Sequence, residues 1–240
     1  MISHSLVALL GLASAVSAMP PRPRTLAADD VILLNNDGSS QIMKAAAYDA
    51  LEAAAIAARA PSSSSSSHNL TSTPGVVRRG CAQSTEVQVT SDESFLNWDV
   101  AISPVVSGQG NSQATAGVSS GYEIANTLEV GSEITFGSDE IIGLSLGMNL
   151  DMTWSSSQES SLEFQVPDGK FGVIVSQPWV RRVQGNVFSG CTDSPAVSPF
   201  TADAYESQSY GSMNWVKGVI RLCSSDTYPI PFCNGNGQHS

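Results

Sequence analysis

Only one histidine follows residue 79, His239, and it stands beside the last residue of the chain. Its neighbours Asn234-Gly235-Asn236-Gly237 predict a mobile tail, where an imidazole cannot be held against a substrate. The expectation is therefore no Ser-His-Asp hydrolase, no Cys-His protease and no His-ligated zinc hydrolase. Gly117-Val118-Ser119-Ser120-Gly121 matches the G-x-S-x-G of a nucleophile elbow. That elbow needs a strand-to-helix turn, and a strand is predicted next, so Ser119 reads as loop. Carboxylates are plentiful, seventeen after residue 79, and a glycosidase needs only two, about 5 to 9.5 Å apart. Yet Glu129, Glu133, Glu159 and Glu163 fall on polar strand positions and read as a solvated face. The residues point to a non-enzyme with no cofactor and no metal.

Cys81, Cys191, Cys223 and Cys233 are the four cysteines. An even count in a secreted domain predicts two disulfides with three connectivities open, of which Cys81–Cys191 plus Cys223–Cys233 is favoured. No pair has C-x-x-C spacing and no histidine is near, which argues against zinc. The formal charge of the 240 residues is −11, and after residue 79 seventeen acidic groups face five basic ones. Nucleic acid is excluded as a partner, since its affinity rests on clustered Lys and Arg. Arg181-Arg182 beside Trp179, with Lys170, Lys217 and Arg221, read mainly as balance for an acidic surface.

The chain changes character along its length. Leu6 to Ala13 is an apolar run ending in small residues at Val16-Ser17-Ala18, so residues 1–18 read as a secretory signal and the protein as secreted and extracellular. Residues 19–79 read as a propeptide, helical from Gln41 to Ala60 and otherwise disordered. It contains a serine run, Ser62 to Ser67, a glycosylation sequon at Asn69, and the dibasic pair Arg78-Arg79. A kexin-type protease would cut after Arg79, leaving residues 80–240 as the mature β domain.

That domain alternates with period two. Apolar residues at even numbers recur from Tyr122 to Val166, and Ile142, Leu144, Leu146, Met148, Leu150, Met152 and Trp154 form an unbroken series. Between them stand Gly143, Ser145, Gly147, Asn149, Asp151 and Thr153. Such order places one class on each face of a strand, so a strand is predicted across 142–154. Gly137-Ser138-Asp139-Glu140 and Pro167-Asp168-Gly169-Lys170 supply turns, and Gly185-Asn186 a bulge or turn. Phe171 to Val175 predicts a strand buried on both faces, and Trp215 to Cys223 the last one. The fold class is all-β, an elongated antiparallel sheet or a sandwich.

The run 142–154 is also long enough for a membrane β-strand, which takes about 9 to 11 residues. In pattern, residues 116–177 resemble the stalk of aerolysin-type pore-forming proteins, which implies a membrane hairpin and a homo-oligomer. A longer similarity is carried by Gly80-Cys81, Ser84 to Val89, Asn97 to Pro104, Gly172 to Pro178, Ser189 to Pro195, Asn214 to Gly218 and Ala28 to Val31. These resemble a family of secreted effector-like proteins of filamentous fungi. The resemblance implies secretion, Arg-Arg processing and action at a host interface, and supplies no catalytic or ligand residue. The expected function is a non-enzymatic effector acting on a host or competitor cell surface component, whether protein, glycan or lipid. The alternatives are a β-pore-forming toxin and a carbohydrate-binding or carboxylate-based carbohydrate-active protein using aromatics such as Trp179 and Tyr205.

Overall fold

The computed structural model describes residues 24–35, 37–58, 83–110, 114–131, 138–157, 159–211 and 213–240. Strands β1 (Arg24–Leu26), β2 (Asp30–Leu34) and β3 (Ser40–Lys44) precede helix α1 (Ala45–Ala58). Then come β4 (Gln83–Leu96), β5 (Val100–Ala101), β6 (Val106–Ser107), β7 (Ala114–Val118), β8 (Glu123–Ala125) and β9 (Thr127–Val130). Helix α2 (Ser138–Leu146) leads to β10 (Thr153–Ser155), β11 (Glu159–Val166), β12 (Phe171–Cys191) and β13 (Ser194–Tyr205). The chain ends with β14 (Ser207–Tyr210), β15 (Met213–Val216), β16 (Gly218–Ser225), β17 (Ile230–Pro231) and β18 (Gln238–His239). The all-β expectation holds.

β12 is the spine, and its two halves live in different surroundings. Its first half pairs with β16 on one side and with β5 and β6 on the other. Both faces are covered there: Ile174 joins the main core, while Val173 and Val175 pack with Ile230 and Cys223. That double burial is why Phe171 to Val175 is continuously apolar. A second layer, β1-β11-β7, closes the main core with Leu162, Phe164 and Val166. The second half, Trp179 to Cys191, pairs with β4 and β13, with β9 beyond. At about 3.3 Å per residue, its thirteen residues make a ribbon about 40 Å long. The molecule is a sandwich at one end and an elongated ribbon at the other.

The turn predicted at Pro167-Asp168-Gly169-Lys170 is present, whereas Ser138-Asp139-Glu140 of the other predicted turn opens helix α2. Lys170 N donates to Pro167 O at 3.1 Å, and Gly169 takes a φ of 78°. A register shift in β4 opposite Gln184 and Gly185 is the expected bulge. A Cβ at Gly185 would lie 2.1 Å from Gln88 O and 2.7 Å from the Phe200 ring, so only glycine lets the strands close there.

Two expectations are corrected. Residues 24–44 are not helical or disordered but strands of the body's own sheets: β2 lies antiparallel to β16, and β1 runs parallel to β11. Asp30-Val31-Ile32-Leu33-Leu34 is apolar enough to fill a sheet edge, and Val31, Ile32 and Leu34 are buried. The sheets of the body thus include strands that precede Arg79 in the chain. The expected helix is present as α1, shorter at its start because Ser40–Lys44 forms β3.

The second correction concerns the predicted strand across 142–154. Residues 138–146 are helix α2, and only Thr153–Ser155 is strand. The helix has local causes that alternation hides. Ser138-Asp139-Glu140 suits a helix N-terminus, where acidic groups meet the macrodipole. At the other end Gly147 takes a φ of 63°, Gly147 N donates to Leu144 O, and Met148 N donates to Gly143 O at 2.8 Å. These are the paired bonds of a left-handed glycine cap.

α1 lies over the seam of β2 and β16, where Tyr48 packs against Val31 and Val219. Burial pushes the Tyr48 phenol up to about 12, and the Glu52 carboxylate adds to the shift. The folded value exceeds the unfolded one, about 10. The contribution of Tyr48 to stability is thus full below pH about 10 and is lost as pH rises toward 12, because the unfolded chain ionises first. Tyr48→Phe, which cannot ionise, is expected to move the midpoint of alkaline unfolding upward, read by far-UV circular dichroism. An unchanged midpoint would place that phenol in water.

Candidate functional site

The ribbon has one apolar face, made by Val183 and Val187 of β12, Phe200 and Ala202 of β13, and Leu128 and Val130 of β9. Its cover is the segment 138–150, through Ile142, Leu146, Met148 and Leu150. The fit is one-sided. Ile142 and Leu146 stand one turn apart and face the ribbon, while Leu144 is 76% exposed and Ile141 39%. An open cleft of about 580 Å³ lies along the segment, bordered by Glu140, Leu144, Asn149 and Asp151.

Polar contacts also hold this cover. Asn126 Nδ2 donates to Asn149 O at 2.6 Å, and Asn126 Oδ1 accepts from Tyr205 N at 2.7 Å. Arg181 forms a bidentate pair with Asp92, at 2.9 and 2.7 Å, and also donates to Leu146 O at 3.3 Å. A guanidinium thus meets the negative end of α2 and ties it to the ribbon. Its hydrogen bonds hold the Asp92 carboxyl below the usual carboxylate range. Since Asp92 is depressed when folded, the contribution of this half-exposed pair is full above the ordinary carboxylate range and is lost as pH falls through the lowered folded value.

Below the segment the chain already pairs as a hairpin. β8 and β10 are antiparallel, with Thr153 opposite Ala125, Trp154 opposite Ile124 and Ser155 opposite Glu123. Asn126 N donates to Met152 O at 2.9 Å, continuing the ladder by one step. Trp154 is buried, its ring edge-on to Tyr205 and its Nε1 donating to Ser207 Oγ at 3.0 Å. Of the seven even-numbered residues, Trp154 alone lies in a strand.

The C-terminal region corrects the reading of His239. The Asn234–Gly237 stretch is no loose tail but part of a cap sewn to the body. The Cys223–Cys233 disulfide anchors it, β17 pairs with β18, and Phe232 N donates to Gly237 O. Buried Asp99 accepts from Cys233 N, Asn234 N and Gln177 Nε2. His239 is 7% exposed, stacks on Phe232 at 4.4 Å, and brings Nε2 to 3.6 Å from Asp99 Oδ2. An imidazole is therefore positioned beside a carboxylate, as sequence reading denied. Both side chains are sealed under the cap, which the Asp99 carboxylate attaches through the hydrogen bonds it accepts. Asp99 also lies near both sulfurs, which are spent in the disulfide and offer no thiolate to a metal.

The remaining candidates fall as follows. Cys191 is disulfide-bonded; Cys81, Asn69, Arg78 and Arg79 lie outside the described residues. Ser119 follows β7 in a loop, its N–H donating to Ile102 O, with no helix after it. Arg182 is bidentate to Asp203 at 2.7 and 2.6 Å with its guanidinium over the Phe95 ring, so both arginines are engaged by carboxylates. Tyr205 is not an exposed aromatic: it packs on the main core, and its hydroxyl accepts from Asn97 Nδ2. Trp179 borders a cleft of about 360 Å³ with Tyr48, Leu51 and Phe95.

No family model matches this chain, and neither the curated proteins nor the solved structures contain a match to it.

Proposed function

We propose that this chain is a secreted protein that perforates the membrane of a target cell, with residues 122–154 becoming a spanning hairpin in a ring of identical copies. The single observation that carries this reading is the β8–β10 register. Continued without a slip, it sets Leu150 opposite Leu128 and Met148 opposite Val130, then Leu144 opposite Ile134 and Ile142 opposite Phe136. Residues 137–141 are left for the turn, where Gly137-Ser138-Asp139 stand. Every large apolar residue of both arms falls on one face, with Asn126 and Ser132 as the polar members of that face.

A pattern with strand period that folds as helix is a conflict between local and tertiary preference, and such conflicts mark elements built to change state. Each arm exceeds the span a bilayer needs. The opposite face carries Glu123, Glu129, Asp151 and Asn149 among small residues, a polar and acidic lining. Departure of the segment also bares Val183, Val187, Phe200 and Ala202, an apolar strip along which protomers would pack. The disulfide suits an exported chain, and no described helix is long and apolar enough to cross a membrane.

Vesicles loaded with a self-quenched dye test the reading. Release is expected from at least one of zwitterionic, anionic and sterol-containing compositions, with potassium permeating ahead of chloride through an acidic lumen. No release from any composition, by chain cut or uncut at Arg79, overturns it.

A further inference from the structure

Residues 24–58 enter the fold as three strands and a helix, yet they join the rest of the chain only through residues 59–82. β2 lies along the outer edge of β16, with Val31 opposite Arg221, Ile32 opposite Ile220 and Leu33 opposite Val219. β1 runs beside β11 in the other layer, Leu26 next to Phe164. One segment thus closes an edge in both layers, and Leu26, Ile32 and Leu34 fill the core between them. Its Lys44 pairs with Asp29 and Asp30 are internal and belong to the segment itself. Across the seam Arg221 reaches Asp49 at 3.7 Å. All four cysteines lie after residue 80, so no disulfide can tether the segment. The stretch that follows it carries the serine run and Arg78-Arg79, outside the described residues.

We propose that the edges of β16 and β11 are a docking surface for residues 24–58 as a separate polypeptide, so that cutting after Arg79 yields two chains that stay assembled. The partner this surface fits is an extended apolar strand, Asp30 to Leu34, added to an open sheet edge through main-chain hydrogen bonds and clamped by a following helix. Cutting removes the tether and its effective concentration but none of the contacts. Without the segment, β16 is an edge strand carrying Val219, Ile220 and Leu222, an invitation to a strand from another copy. The bound segment is therefore what keeps the body from pairing through that edge. None of this depends on membrane perforation, because hairpin and segment share no strand pairing.

The test starts from the full secreted chain, cut by a kexin-type protease at Arg78-Arg79, or at a second protease's site placed over Ser62 to Ser67 if the dibasic site resists. Native mass spectrometry is expected to find one species containing both fragments, which denaturing conditions resolve into two. In the cut chain, Leu26→Ala and Ile32→Ala are each expected to release the segment at least tenfold more readily. The same variants left uncut stay folded by circular dichroism. Separation of the wild-type fragments in native buffer overturns the proposal, whether residues 80–240 stay soluble or precipitate. So does release that neither variant accelerates.

Discussion

Leu144→Lys is expected to abolish vesicle leakage while leaving the stability of the soluble chain unchanged, and Ser145→Lys to leave both near wild type. In the soluble fold Leu144 projects from α2 and is 76% exposed, so a lysine there meets water. Substitution at such a site changes stability by about 0.5 kcal/mol or less. In the hairpin, residue 144 lies on the apolar face close to the turn, between interface and midplane, where a lysine costs about 1–2 kcal/mol per copy. Since 1.4 kcal/mol is about tenfold in an equilibrium, one copy alone loses about 5- to 30-fold, and a ring compounds the loss. Ser145 sits on the opposite face in the hairpin and on the surface of the helix, so lysine is tolerated in both states. The paired measurement is dye release against dose and the urea midpoint for each variant. Leakage by Leu144→Lys at the wild-type dose would show that this residue never meets lipid.

Asp99→Ala should be among the most destabilising single changes in the protein. The carboxylate is fully buried and accepts three N–H groups, two of them from the cap at Cys233 and Asn234. Truncation strands all three donors away from water, at about 1–3 kcal/mol each before relaxation. A net loss of about 3–5 kcal/mol is expected, the range for breaking a buried charged network. For a chain of this size that lowers the melting temperature by about 10 °C. The cap should loosen first, seen as hydrogen exchange at Cys233, Asn234 and His239. Asp92→Ala is the control: its pair with Arg181 is exposed and should cost about 1 kcal/mol or less. Equal losses for Asp92 and Asp99 would show that the cap does not depend on its carboxylate.

The two variants probe opposite ends of one design. The cap end is dense, with a disulfide across a ten-residue separation that stabilises by about 3 kcal/mol in the chain-entropy view. The ribbon end is covered by a helix of nine residues that leaves Ile141 and Leu144 in water. Local opening starts where buried contacts are few, which favours the ribbon cover over the cap.

Strand identity was legible in the sequence wherever alternation met its ordinary partner, another strand. The course of β12, the bulge opposite its Gly185 and the turn at Gly169 follow from side-chain period and turn chemistry, which act over a few residues. Alternation failed across 142–154, because it reports which side chains can share a face and says nothing of which partner is present. In the folded chain β9 pairs with β13, which leaves residues 138–146 without a strand to join, and the glycine cap at Gly147 then decides for helix. Ser138-Asp139-Glu140 and Gly147 were the local signals for it.

Tertiary structure alone decided the two remaining matters. Asn234-Gly235-Asn236-Gly237 has the composition of a tail, and only the approach of Asp99, distant in sequence, turns it into a cap that encloses His239. Residues 24–44 have the look of a discardable leader, yet the edge of β16 needs a strand and Asp30 to Leu34 supplies it. Sequence determines what each segment can pair with, through period, turn residues and apolar content. Long-range closure determines which pairing is realised, because an edge or a buried carboxylate gains its partner only when distant parts of the chain meet.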